Sequence, residues 1–77
     1  MVTLHRYRNW KIAVFSREHG IPHVHVSGPD FEATVSIATG EILAGLLPAA
    51  TLEDVQDWLA ANRSAAMARW RQNNRGR

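Results

Sequence analysis

The segment Phe31-Glu32-Ala33-Thr34-Val35-Ser36-Ile37 limits what this chain can become more than any other, because apolar and polar residues alternate through it one for one. Side chains of an extended chain point to opposite faces in turn, so this pattern predicts a strand with one buried face and one wet face. A single strand cannot close a core, and the rest of the first half supplies neighbours for it. Residues 2–7 and 10–16 flank Arg8-Asn9, where Asn accepts the left-handed backbone of a tight hairpin. In the second of these, Trp10, Ile12 and Val14 share one side and Ala13 and Phe15 the other, which predicts a strand covered on both faces or paired near the middle of the sheet. Residues 23–27 form a third strand, with Val24 and Val26 facing one way and His23 and His25 the other. Gly28-Pro29-Asp30 is a turn by composition, and Thr39-Gly40 closes a hairpin into a short strand over 41–44.

Beyond residue 50 the period changes from two to that of a helix. Leu52, Val55, Leu59, Ala66 and Trp70 form one apolar stripe, with Trp58 beside it. Thr51 is a suitable N-cap, and Glu53, Asp54 and Asp57 bring negative charge to the first turns, where the helix dipole favours it. A helix over about 51–72 would be roughly 33 Å long, slightly more than the roughly 30 Å diameter expected of so small a domain. Asn62 falls on the stripe and marks where such a helix would bend. Residues 73–77, Asn-Asn-Arg-Gly-Arg, are expected to fray. The predicted fold is therefore α+β: an antiparallel β-meander of four to five short strands over about residues 2–44, packed against a long C-terminal helix, in a single domain spanning 1–77.

The 77 residues suit one small core, and 45% of them are hydrophobic, which argues against disorder. Cysteine is absent, which excludes a disulfide framework and thiolate metal sites and fits a reducing compartment. No apolar run has the length of a signal peptide or of a membrane span, so the expectation is a soluble, cytoplasmic protein.

Charge is segregated. Residues 1–17 hold Arg6, Arg8, Lys11 and Arg17 and no acid; 18–62 hold all seven acids and no Lys or Arg; 63–77 hold five arginines and no acid. Arginine pairs with planar phosphate or carboxylate groups bidentately, so the basic ends suit nucleic acid or an acidic partner, or simply neutralise the middle of the chain.

The stretch Glu18-His19-Gly20-Ile21-Pro22-His23-Val24-His25 carries the chemistry. His23 and His25 fall on one face of a strand, and Gly20 and Pro22 let the loop bring His19 back towards them, with Glu18 or Glu32 near. His19, His23 and His25 then serve either as acid and base, with Arg6, Arg8 and Arg17 holding phosphate, or as ligands of a zinc-like divalent ion. As a third possibility, His23 and His25 are no more than the wet face of a one-sided strand. His5 reads as an edge histidine facing with Thr3 and Tyr7.

The run from His19 to Val26, the segment from Ala33 to Ile37, the run from Thr39 to Pro48, and Trp58 and Trp70 on the helix resemble, over about residues 10–72, the bacterial domain-of-unknown-function family numbered four-one-six-zero. Its members show an H-x-P-P-H-x-H run, a TGE-hydrophobic-L-x-G-x-LP exit and a helix with two tryptophans. Ile21 stands here where the family has its first proline, and a longer tail is replaced by residues 73–77. The resemblance implies the same fold and supplies no activity. Through the gene neighbours typical of such proteins it implies one half of a toxin–antitoxin-like pair, an interaction module binding RNA or a small cognate protein. The alternatives are a metal-independent ribonuclease and a histidine-based metal-binding domain; a homodimer through the helix or a sheet edge is compatible with any of them.

Overall fold

The structure, a computed structural model, describes residues 1–16, 18 and 20–74. Five strands, β1 (Val2–Arg6), β2 (Lys11–Val14), β3 (His23–Ser27), β4 (Glu32–Ser36) and β5 (Ile42–Leu46), precede one helix, α1 (Ala49–Asn73). The strands form a single antiparallel sheet in chain order, a meander, as short hairpin connections dictate.

The registers Ile12↔Val26 and Val26↔Ala33, with Val24↔Val35, stack the apolar halves of the alternating strands on one face. There Ile12, Val14, Val24, Val26, Val35 and Ile37 meet Val55, Leu59 and Ala66 of the helix in one buried cluster. β2 lies between β1 and β3, and in it Ala13 is buried as well as its neighbours Ile12 and Val14. Polar contacts fasten the helix to the far hairpin: Gln56 Nε2 donates to the Gly40 carbonyl (2.9 Å) and Arg63 Nε to the Ile37 carbonyl (2.8 Å).

The helix bends at Asn62, whose backbone leaves helical geometry (φ −127°, ψ 19°). Its side-chain amide donates to the Trp58 carbonyl at the bend (2.9 Å). A straight helix of this length would measure about 37 Å, more than the molecule's longest extent of 34 Å. The bend keeps residues on both sides of it, Leu59 and Ala66, in the core. None of the helix residues described forms a segment long and apolar enough to cross a membrane.

Several local expectations are corrected. The helix starts two residues ahead of Thr51, with Pro48 at the N-cap and the Leu52 amide donating to the Pro48 carbonyl (2.9 Å); Thr51 lies inside it. Proline's fixed φ and missing donor suit a helix entry, and they override the capping preference of Thr. For the same reason no acid lies in the first turn. β5 runs to Leu46, through Gly45. A bulge between Thr3 and His5 in β1 turns His5 onto the Ile12 side of the sheet, where its ring stacks on Trp58 (5.6 Å between centroids), away from Thr3. Asn73 ends the helix and Asn74 is buried, so these two residues do not fray; the rest of the expected tail, 75–77, lies outside the described residues.

Candidate metal centre

β2 ends at Val14 and β3 starts at His23, so the intervening loop must reverse over a few residues. Gly20 makes part of that turn with a left-handed backbone (φ 91°) that other residues adopt at a cost. Strand alternation then puts His23 and His25 on the same side of β3, their ring centroids 5.2 Å apart. Glu18 reaches them from the loop. Its Oε1 lies 2.6 Å from His25 Nε2 and 3.5 Å from His23 Nε2. One donor atom from each of Glu18, His23 and His25 falls within 4.8 Å of the other two. The cluster is half-buried, with Phe15 against the His25 ring at 4.2 Å and Trp70 6.4 Å from the His23 ring.

The hydrogen bonds settle which nitrogens face inward. His23 Nδ1 lies 2.7 Å from the Ile21 carbonyl, which can only accept, so Nδ1 carries the hydrogen. In the neutral ring Nε2 is then a lone pair, and it points at a carboxylate oxygen. Two electron-rich atoms face each other across that gap unless a proton or a metal ion lies between them. His25 Nε2 donates to Glu18 Oε1, since a carboxylate is an acceptor. An imidazole whose Nδ1–H is held by a backbone carbonyl while Nε2 is aimed at further donors has the second-sphere arrangement of a metal-ligating histidine.

The His25 hydrogen bond holds the Glu18 carboxyl below its ordinary range, against an opposing effect of burial and with the help of charge on His25 and His23. A depressed carboxylate stabilises the fold fully above its unfolded pKa, and that contribution is lost as pH falls through the folded value. The metal-free protein is therefore expected to lose stability below pH 4.5. Glu18→Gln should flatten this acid limb in urea-unfolding midpoints measured across pH.

Asn74 fastens the loop to the end of the helix. Its Nδ2 donates to the Phe15 carbonyl (3.2 Å) and the Trp70 carbonyl (2.9 Å), and its Oδ1 accepts from the Glu18 amide (2.6 Å). With 6% of its surface exposed, Asn74 leaves these groups few other partners. Asn74→Ala is expected to cost about 1–3 kcal/mol, the penalty for buried polar groups left unpaired. Chemical denaturation checks this.

Of the residues expected from sequence, His23 and His25 come together, while His19 and Arg17 lie outside the described residues. Glu18, anticipated only as a neighbour, takes the central place; Glu32 is not part of the cluster. Arg6 and Arg8 are elsewhere. Arg6 pairs with Lys11 and Lys11 with Ser27, so this hairpin adjoins the far end of β3 from His23.

No curated protein and no solved structure matches the chain. A family model does match, over residues 9–71, which takes in every strand from β2 onward, the histidine pair, Glu18 and nearly all of the helix. By that match the chain belongs to the family described as Domain of unknown function, DUF4160.

Proposed function

We propose that this domain binds a borderline divalent cation, Zn²⁺ or a close relative, through Glu18 Oε1, His23 Nε2 and His25 Nε2. The observation that carries the reading is the placement of His23 Nε2: with Nδ1 held by the Ile21 carbonyl, it faces Glu18 Oε1 at 3.5 Å beside His25 Nε2. Two imidazoles and one carboxylate are the donor types such ions take, at about 2.0–2.2 Å. Tetrahedral ligands at those distances stand about 3.3 Å from one another. The His23–Glu18 spacing already suits this, and the 2.6 Å His25–Glu18 hydrogen bond has to open by about 0.7 Å. Three protein ligands leave a fourth position for water or an exogenous ligand.

Metal analysis of protein prepared without a histidine tag tests this. One zinc equivalent per chain, removed by chelator and restored on titration, is the expected result. Absence of uptake at micromolar zinc contradicts it.

A second reading has its own support, because the Glu18–His25 pair is also the carboxylate–imidazole unit of general acid–base chemistry. RNA cleavage that persists in chelator and vanishes in His23→Ala and His25→Ala would favour a metal-independent ribonuclease; an inert wild-type protein removes that reading. The partnership implied by the family resemblance, a toxin–antitoxin-like pair, is tested by growth on induction and by a co-purifying small protein encoded beside this chain.

A further inference from the structure

The β1–β2 hairpin holds a second feature that the metal centre does not use. Arg6, Tyr7, Arg8, Trp10, Lys11 and Ser27 line a hollow of about 360 Å³. Three cations surround it, and among the described residues none of them forms an ion pair with an acid. The hairpin's own stretch, residues 1–17, contains no acid. Like charges gathered around a concavity repel one another and favour an anion. Two of the three are arginines, whose planar guanidinium groups match phosphate oxygens bidentately.

An aromatic surface adjoins the cations. The tight hairpin, closed by the Tyr7 amide donating to the Trp10 carbonyl (2.8 Å), sets the Tyr7 ring nearly parallel to Trp10 with centroids 5.0 Å apart. Trp10 is buried and anchors the stack in the core, while Tyr7 keeps 48% of its surface exposed. An immobilised, half-exposed ring beside guanidinium groups offers a planar heterocycle a stacking surface within reach of the phosphate contacts. The volume lies in the range of small-ligand sites.

We infer that this hairpin hollow binds a nucleoside phosphate, the phosphate held by Arg6, Arg8 and Lys11 and the base stacked on Tyr7. The phosphate belongs either to a free nucleotide or to a strand of RNA, and the chemistry is common to both.

The test is a titration of the full chain, in chelator so that the metal centre plays no part, with adenosine monophosphate, a short oligoadenylate and inorganic phosphate. Binding is followed by tryptophan fluorescence. The expected result is saturable one-to-one binding of the monophosphate, the oligomer or both, tighter than that of inorganic phosphate and weakening as salt rises. Preference for the oligomer identifies a nucleic-acid strand, and preference for the monomer a free nucleotide. Arg8→Glu and Tyr7→Leu, both at exposed positions, should each weaken binding about tenfold or more. Equal affinity for inorganic phosphate and nucleotide, indifference to both substitutions, or no binding at millimolar ligand would overturn the inference.

Discussion

His25→Ala is expected to lower the affinity of the chain for Zn²⁺ by at least about 100-fold, since loss of a mere orienting partner already costs up to that much. The substitution removes the nitrogen nearest to Glu18 and leaves a two-residue site. Asn74→Ala should act more weakly on the same quantity, by about 10–100-fold, because it releases the loop that carries Glu18 without touching a donor atom. His5→Ala provides the control. It removes an imidazole of the same kind that stacks on Trp58 and has no part in the cluster, so zinc affinity should stay unchanged. Competition against a chromophoric chelator reads all three. A His25→Ala protein that holds zinc as tightly as the wild type would locate binding elsewhere.

Gly45→Ala should destabilise the fold by at least about 2 kcal/mol through two separate costs. The backbone is left-handed there (φ 83°), a conformation worth roughly 1–2 kcal/mol against alanine. A methyl group would also run into the Glu32 carbonyl oxygen and come within 2.8 Å of the Ala33 Cα, so β4 would have to move. Since Ala33 pairs with Gly45 and Glu32 with Leu46, that movement disturbs the β4–β5 ladder itself. For a domain of this size the loss corresponds to a fall in Tm of roughly 8 °C or more. Gly20→Ala separates the two costs. Gly20 is also left-handed (φ 91°), yet a Cβ there meets nothing within 4 Å, so only the conformational part is expected. Equal melting points for the two variants would show that the close approach at Gly45 carries no weight.

The architecture was legible because periodicity is a property of residues in sequence. The alternation from Phe31 to Ile37 and the stripe through Val55, Leu59 and Ala66 both describe faces that the structure buries. The bend at Asn62 was legible too, since a polar amide interrupts that stripe. Features that depend on pairing were not. The bulge that turns His5 towards Trp58 arises from the register of two strands, and nothing in the residues between Thr3 and His5 announces it. Pro48 outcompeted Thr51 for the helix start because a rigid φ before Ala49 counts for more than a favourable side chain two positions later.

The site was half legible. Period two guarantees that His23 and His25 share a face, whereas the position of Glu18 depends on how the loop closes. Gly20 signalled a turn without giving its direction. Asn74 was missed because Asn-Asn ahead of Arg-Gly-Arg reads as a solvated tail. An asparagine at a helix C-terminus is nevertheless a known stop signal, and one long enough to bridge to a neighbouring loop can be buried by that bridge.

Long-range ¹H–¹⁵N correlation spectra of the imidazole rings during zinc titration distinguish the proton arrangement from the metal-bound one. Before zinc, His23 should carry its hydrogen on Nδ1 and His25 on Nε2, as their acceptors require. One equivalent of zinc should shift both Nε2 resonances to metal-coordinated values, keep His23 Nδ1 protonated and move the His25 hydrogen off Nε2, with His5 unaffected. Rings of His23 and His25 that keep their starting tautomers and shifts at stoichiometric zinc would show that Glu18, His23 and His25 do not form a metal centre.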